Sequence, residues 1–296
     1  MFIGINHGYF HELGLEVESV PFSIATEMAA PLIAGQIDIA NADPSSAFLN
    51  AAARGAQIRF VADGSHSESG HSSVVLVIRK DLIDSGQVKD FSDLKGLRLS
   101  GVFKGSAPDM YLHQYMAEGN LDDSDVDVQY LSFAASLPAM ASKQLDGAIE
   151  VEPLATAAVD QGIAVAWKRK ADVFGPAQGT VIMFSPSMAA HRQDVGRRFM
   201  AAYVRAIRDY ADAVNQGRDM ASIVGLLARN TDVKDLKLFD RMQLPAFDVN
   251  GQMNLKSLHE TQQWFVDHNY VPSAVDLSNV IDTSYLDYAL AQDGKR

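Results

Sequence analysis

The chain has 296 residues, of which 47% are hydrophobic and 21% are charged. This is the composition of a globular protein of about two domains, and it argues against disorder, collagen-like repeats and coiled coils. Cysteine is absent, which excludes disulfides, thiolate nucleophiles and cysteine-based zinc or iron–sulfur sites. The net charge of −12 disfavours nucleic acid and anionic membrane surfaces as partners.

Helix and strand patterns alternate through the first quarter of the chain. They predict helices at residues 1–13, 24–34 and 45–54 and strands at 15–20, 37–41, 58–62 and 72–79. The strand at 15–20 is predicted because apolar and polar residues alternate there. Ser23 and Asp43 are the predicted N-caps of the second and third helices.

A second series of strand and helix patterns follows. It predicts strands at 97–102, 126–131, 147–149, 163–167 and 180–184 and helices at 108–118, 137–142 and from Pro153 onward. Beyond residue 184 the patterns are helical, at 195–214, 219–229, 234–242, 255–268 and 283–291. Two such series predict an α/β protein of two lobes, each a mostly parallel sheet flanked by helices, with the helical C-terminal region wrapped on one of the two lobes.

Standard catalytic and cofactor motifs are absent. No glycine-rich nucleotide fingerprint or Gly-x-Ser-x-Gly elbow is present, and the histidines at 66 and 71 lack a zinc-protease motif. The acidic run 122–127 lacks the glycine and the bidentate glutamate of a calcium loop. We therefore expect no metal and no cofactor.

Three polar loops follow predicted strands, at residues 41–46, 63–66 and 104–109. Ligands of open α/β sheets bind at the carboxyl ends of the strands, where helix N-termini offer N–H groups. Ser and Asp are also common at these positions as helix N-caps, so ligand binding and helix capping both stay open as interpretations of these residues.

Several segments occur together in the order typical of one protein family. They are Gly8-Tyr9-Phe10 with Gly14-Leu15, residues 34–40, residues 93–98, and residues 145–148 with Glu152-Pro153. In these segments the chain resembles the periplasmic substrate-binding proteins of nitrate/sulfonate/taurine-type ABC importers, whose superfamily includes binders of thiamine-pyrimidine precursors. The resemblance runs from residue 1 to about 215 and includes residues 284–286.

This resemblance implies a two-lobed periplasmic-binding-protein fold of type II-like architecture. Lobe 1 would comprise 1–82 plus 176–296, and lobe 2 would be the inserted segment 83–175. The chain would be a non-catalytic monomer whose lobes close on a small solute, because contacts on both lobes favour the closed form. Its partners would be the permease and ATPase of an ABC transporter, and its location periplasmic or cell-surface-attached.

The resemblance also assigns ligand-binding residues. In lobe 1 and the return crossing they are Asn41, Asp43, Ser45, Ser46, Ser65, His66 and Thr180; in lobe 2 they are Lys104, Gly105, Ser106, Ala107, Glu150 and Glu152. A sulfonate or other oxyanion suits Lys104 and Ser106, whereas the carboxylates favour an amine or a ring N–H. A zwitterion or neutral heterocycle satisfies both. Glu152-Pro153 is equally well explained as a structural helix start.

Two other functions stay open. Fungal pyrimidine synthases and sulfinate desulfinases share this architecture, although both depend on cysteine chemistry. A ligand-responsive sensor module would have the same sequence features as a transport receptor.

The family opens with a strand and an export signal ahead of the Gly8-Tyr9-Phe10 helix. The first residues here have neither the basic nor the apolar region of a secretory signal. We expect a truncated or late-assigned start, and export follows from the family alone.

Overall fold

The computed structural model describes residues 1–22, 24–230 and 234–296. Its strands are β1 (Ile39–Ala42), β2 (Arg59–Ser67), β3 (Val74–Arg79), β4 (Arg98–Ser100), β5 (Asp127–Gln129), β6 (Gly147–Val151), β7 (Ala164–Arg169) and β8 (Ala177–Phe184). Its helices are α1 (Phe2–Asn6), α2 (Tyr9–Glu12), α3 (Ala25–Ile33), α4 (Ser46–Ala53), α5 (Lys80–Asp84), α6 (Ala107–Glu118), α7 (Phe133–Ala141), α8 (Leu154–Asp160), α9 (Lys170–Phe174), α10 (Pro186–His191), α11 (Gln193–Gln216), α12 (Met220–Asn230), α13 (Leu255–Asp267) and α14 (Ser284–Asp293). The predicted N-cap Ser23 lies outside the described residues.

The chain forms two compact units. The first comprises residues 1–66, 178–236 and 246–296, and the second comprises 67–177 and 237–245. The structure thus divides the chain after residues 66, 177, 236 and 245, whereas the sequence placed the divisions after 82 and 175 and assigned all of 176–296 to lobe 1. The first division comes earlier because β3 pairs with β6 and β7 in the sheet of the second unit.

The second unit has a five-stranded sheet in the order β5-β4-β6-β3-β7. β4 is parallel to β5 and β6, whereas β3 is antiparallel to both β6 and β7. Four strands therefore point in one direction and β3 alone points in the other. The four are joined through helices α6, α7 and α8, which is the connection that parallel strands need.

The first unit has a three-stranded sheet in the order β1-β8-β2, in which β1 and β8 are antiparallel. This pair departs from the parallel arrangement that alternation of helix and strand favours. β8 enters the sheet after the whole of β3–α9 and not through a helical crossover from β1, so alternation of helix and strand does not fix its direction.

The C-terminal helices pack on the first unit, as predicted. Phe199, Tyr203 and Ile207 of α11 lie four residues apart on one face and are buried in a cluster with Phe184 of β8 and Tyr285 of α14. None of the described helices combines the length and the hydropathy that crossing a bilayer requires.

The predicted helix over residues 1–13 is two short helices. Gly8 adopts a left-handed conformation with a φ of 78° and separates α1 from α2. A single α-helix cannot continue through such a residue.

The predicted strand at 15–20 is wrong, because no strand pairs with it in the described part of the chain. Leu15 and Val17 still face a hydrophobic cluster, and Val20 is 53% exposed. The alternation of apolar and polar residues in this segment therefore reflects which side chains face the hydrophobic core, and not a β-strand.

The predicted helix at 234–242 is reduced to a 3-10 turn at Leu236–Leu238. Leu236 is 52% exposed, and Phe239 is the buried apolar side chain of this stretch. A short helix needs a packed apolar face to be stable, and this segment offers too little of one.

Candidate functional site

Three of the predicted ligand-binding residues come together in the first unit, around Gly64. The hydroxyls of Ser65 and Thr180 lie 2.9 Å apart, although they are separated by 115 residues in the chain. A Cβ added to Gly64 would overlap the side-chain oxygen of Asn41 and lie 2.7 Å from Oγ1 of Thr180. The ends of β1, β2 and β8 thus place an amide and two hydroxyls side by side.

Asp63 organises this polar group from beneath. Its carboxylate is fully buried and accepts hydrogen bonds from Nδ1 of His66 at 2.9 Å, Nε2 of Gln178 at 2.6 Å and the backbone N–H of Asp248 at 2.8 Å. Its backbone carbonyl accepts a further bond from the Tyr203 hydroxyl at 2.8 Å. The Asp63 side chain therefore joins β2 to two segments that are distant in sequence, at Gln178 and Asp248, and its backbone carbonyl joins it to a third, at Tyr203.

Gln178 completes the same network and is absent from the predicted site. Its amide also donates to the carbonyls of Ser65 at 3.1 Å and Thr180 at 2.8 Å, and its oxygen accepts from the backbone N–H of Asn254 at 2.7 Å. No local pattern marks this residue, because all of its partners except Thr180 are distant in the chain.

The loop after β1 differs from the prediction in its capping residue. Ser45, and not Asp43, is the N-cap, because α4 begins at Ser46. The N–H of Ser45 donates to the carbonyl of Asp43 at 2.8 Å. Ser45 is buried, and its hydroxyl has no hydrogen-bond partner in the described part of the chain.

In the second unit, the predicted residues from Lys104 to Ala107 form a tight loop between β4 and α6. The N–H of Gly105 donates to the buried carboxylate of Asp109 at 2.8 Å. The Ser106 hydroxyl donates to the Phe103 carbonyl at 2.7 Å and accepts from the N–H of Asp109 at 3.4 Å. Ser106 is thus the N-cap of α6, and Asp109 fixes the loop from within.

The entry to this loop is strained. Val102 is buried and has a φ of 69°, a conformation that β-branched residues rarely adopt. Such strain persists only where the surroundings enforce it, and it is concentrated at functional sites.

Glu150 and Glu152 have very different environments. Glu152 accepts from Arg169 at 2.9 Å and from the hydroxyl and N–H of Thr156 at 2.7 Å and 3.1 Å. These contacts favour a structural role for Glu152 at the start of α8, where Pro153 is the N-cap.

The side chain of Glu150 is fully buried, and neither of its carboxylate oxygens has a hydrogen-bond partner in the described chain. Burial raises the pKa of this carboxyl to about 8, against smaller opposing effects of the nearby Val151 N–H and Ser136 hydroxyl. Glu150 is therefore mainly a neutral acid at pH 7.

Gly64→Ala is expected to destabilise the protein by about 1–3 kcal/mol, as overpacking typically does. The new methyl group would lie 2.9 Å from the carbonyl carbon of Thr180, so backbone must move. Urea unfolding measures the effect. Gly225→Ala is the matched control: its Cβ meets nothing closer than 3.6 Å on α12, and a small gain from helix propensity is expected. Equal stabilities for the two variants would contradict this packing.

A cavity of about 790 Å³ in the first unit borders the cluster around Gly64 at Asn41. It is lined by residues 14–20, by β1 and by the first turns of α11, and Asn41 is the predicted ligand residue that reaches it. Among the described residues, no three His, Asp or Glu side chains are grouped to hold a metal ion.

Comparison of the sequence with models of known protein families shows to which family the chain belongs. A model of the NMT1-like family matches residues 1–225, more than half of the chain. The chain belongs to the NMT1-like family. No curated protein sequence matches it.

Solved structures similar to this NMT1-like protein include binding proteins and an enzyme. The periplasmic aliphatic sulphonate-binding protein SsuA from Escherichia coli is 20% identical, with a TM-score of 0.72, and the alignment covers 97% of this chain and 96% of that one. The periplasmic nitrate-binding protein NrtA from Synechocystis PCC 6803 is 14% identical, with a TM-score of 0.78 and coverages of 98% and 84%. The desulfurization enzyme DSZB is 15% identical, with a TM-score of 0.69 and coverages of 99% and 95%.

At these identities the likeness shows the fold. It confirms the α/β architecture and, with the NMT1-like family match, the resemblance found in the sequence. The expectations of no catalysis, no metal and no cofactor stay predictions.

Proposed function

We propose that this NMT1-like protein is the solute-binding component of an ABC importer and captures a small organic solute by closure of its two lobes. The solute would be sulfonate-, taurine- or nitrate-like, or pyrimidine-like. Family membership and the shared fold of sulfonate- and nitrate-binding proteins support this proposal. The observation that carries it is the convergence of Asn41, Ser65 and Thr180 around Gly64, supported from below by Asp63.

The ligand-binding residues are proposed in two groups. In the first unit, Asn41, Ser65 and Thr180 offer hydrogen-bonding groups that are already positioned, as a binding site requires. Asp43, Ser45, Ser46 and His66 belong to the same loops. In the second unit, Lys104, Gly105, Ser106 and Ala107 form the loop that Asp109 fixes, and Glu150 lies at the end of β6.

The partners would be a permease and an ATPase, and the location would be periplasmic or at the cell surface, as for the binding proteins that share this fold. We expect a monomer. A ligand-responsive sensor would use the same site, and a neighbouring permease gene would favour transport.

An enzyme is the second candidate. A desulfurization enzyme shares the fold, and the pairing of Asp63 with Nδ1 of His66 is the arrangement that orients an imidazole as a general base. The Ser65 hydroxyl beside it is engaged by Thr180, and the chain has no cysteine nucleophile. The balance favours binding without chemistry.

A thermal-shift screen tests the proposal. Taurine, alkanesulfonates, nitrate, aminopyrimidines and aromatic acids are added to the purified protein, and one class is expected to raise Tm by about 5 °C at about 100 times its Kd. Ser65→Ala is expected to reduce that shift, whereas Ser187→Ala on the exposed face of α10 is expected to preserve it. Small-angle scattering with the ligand should show compaction. Product formation in the same mixtures, or no shift with any class, would contradict the proposal.

A further inference from the structure

Glu150 is a buried acid whose hydrogen-bonding capacity is unused. Its side chain has no exposure to solvent, and both of its oxygens lack partners in the described chain. Burying a polar group without a hydrogen-bond partner destabilises the folded state, so native proteins retain such a group where another interaction compensates for the loss. A ligand atom is one such partner.

The surroundings of Glu150 are apolar. Pairing places it opposite Val75 of β3, and alternation places it on the same face as Ala148, which packs with Met140 of α7 and Ala155 of α8. Ser136 of α7 is the polar group nearest to the carboxyl. Apart from the Val151 N–H and the Ser136 hydroxyl, which lower the pKa of this carboxyl, the lining is apolar, and burial in it disfavours the carboxylate anion more strongly than those two groups favour it.

Charged groups on the packed elements are paired or exposed. α7 contains none, since its sequence is Phe-Ala-Ala-Ser-Leu-Pro-Ala-Met-Ala. Asp160 ends α8 and pairs with Arg241 at 2.6 Å, and Glu152 pairs with Arg169 at 2.9 Å. Arg79 of β3 and Arg98 of β4 pair with Asp146 at 2.9 Å and 2.8 Å, while these two strands contribute Val75 and Ser100 to this face. α6 carries Asp109, which accepts from the Gly105 N–H, His113, which pairs with Asp123 at 2.9 Å, and the exposed Glu118. No cation among these groups is aimed at Glu150.

Ser136, which lies beside this carboxyl, is the fourth residue of α7 and so ends its first turn. α7 has nine residues, and its N-cap Ser132 makes no side-chain hydrogen bond to the helix. Ser132 and Ala134 are exposed, whereas Ser136 is buried and donates to the Ser132 carbonyl at 3.2 Å. The N–H groups of Ala135 and Ser136 donate to the Ser132 carbonyl at 2.9 Å and 3.1 Å, and the Ser132 side chain leaves those of Phe133 and Ala134 uncapped. The helix dipole makes this end of α7 positive.

We propose that the first turn of α7 and Glu150 together bind an anionic oxygen of the ligand, with Glu150 protonated and donating a hydrogen bond. A protonated carboxyl and helix N–H groups are all donors, which match a sulfonate or carboxylate oxygen and not an ammonium group. The inference rests on the proposed function and narrows it to anionic solutes. A protonated Glu150 carries no negative charge, so it would not repel an oxyanion as an ionised carboxylate would.

Affinity should then depend on the proton of Glu150. Because burial raises the pKa of this group to about 8, ionisation above that pH removes the donor and adds a negative charge beside the anion. Affinity is expected to fall about tenfold between pH 7 and pH 9. At pH 8.5, binding of the anion is expected to take up part of one proton.

Calorimetry with butanesulfonate as the anionic probe and butylammonium as its cationic counterpart tests the inference. The wild-type protein should bind butanesulfonate with the fall in affinity above, and titrations in buffers of different ionisation enthalpy should show proton uptake. Glu150→Gln keeps a donor but cannot ionise, so it should bind within a few-fold of wild type at pH 7 and keep that affinity to pH 9. Glu118→Gln, at an exposed position of α6, should behave as wild type.

Three outcomes would overturn the inference. The first is an affinity for butanesulfonate that does not change from pH 7 to pH 9 in the wild-type protein, which needs no variant to fold. The second is the same pH dependence in Glu150→Gln as in wild type. The third is binding of butylammonium that strengthens with pH. If neither probe nor any solute of the thermal-shift panel binds, the proposed function fails as well, which separates the two failures.

Discussion

Replacing Asp63 with alanine is expected to destabilise the protein by about 3–5 kcal/mol, because buried donors lose their acceptor. The carboxylate accepts from Gln178, His66 and the N–H of Asp248, and Gln178 is itself buried. Water cannot replace the carboxylate for groups that are so deeply enclosed. Urea unfolding followed by circular dichroism measures the loss.

Asp63→Asn refines this test. Asparagine has the same shape but one acceptor oxygen, so it should retain part of the network and lose less stability than alanine. Asp267→Ala is the control, since Asp267 is exposed at the end of α13 and accepts one bond from Gln263. An Asp63→Ala protein as stable as this control would show that the network does not hold the first unit together.

Stability of the ligand-free protein is expected to fall as pH rises from about 4.5 to about 8, because of Glu150. The folded pKa of about 8 lies above the ordinary value of 4.5. Between these two pH values the folded state keeps a proton that the unfolded state releases. The contribution of Glu150 to the free energy of unfolding is therefore largest below pH 4.5, and it decreases as pH rises to about 8. Each pH unit costs at most about 1.4 kcal/mol.

Tm measured from pH 4.5 to pH 9 in wild type and Glu150→Gln checks this expectation. The difference between the two proteins should shift in favour of the variant as pH rises and level off above pH 8. Glu118→Gln should follow wild type at every pH, because Glu118 is exposed. Parallel curves for wild type and Glu150→Gln would show that the buried carboxyl does not retain its proton.

Much of the fold follows from periodicity. The predicted stripe at 195–214 is α11, and the strands and helices from 97 to 184 lie within a few residues of their predicted positions. In these segments the apolar residues recur with the period of a helix or a strand, and they form the face that is buried in the structure. The segment 15–20 shows the limit, since its alternation reports which side faces the core and cannot report whether a partner strand exists.

The grouping of the proposed site residues was predictable in part. Asn41 and Ser65 lie in polar segments that end predicted strands, where ligands of α/β sheets bind, and Thr180 was expected from the family resemblance at the return crossing. The supporting residues Asp63 and Gln178 were not assigned, since their pairing joins positions 115 residues apart. Glu150 was named as a ligand-binding residue, but its protonation was not predictable. The pKa of its carboxyl is raised because α7 and α8 bury this face of the sheet, and local sequence patterns do not show that burial.

The reversed direction of β3 has a mechanical consequence. Its amino end lies at the carboxyl ends of β6 and β7, where the carbonyl of Ser73 accepts from the N–H of Glu152 at 2.9 Å and the carbonyl of Ser72 accepts from Arg169 at 2.8 Å. Tension along the segment 67–73 would therefore act on the carboxyl ends of β6 and β7 together, through Glu152 and Arg169, at the end of the sheet that carries Glu150.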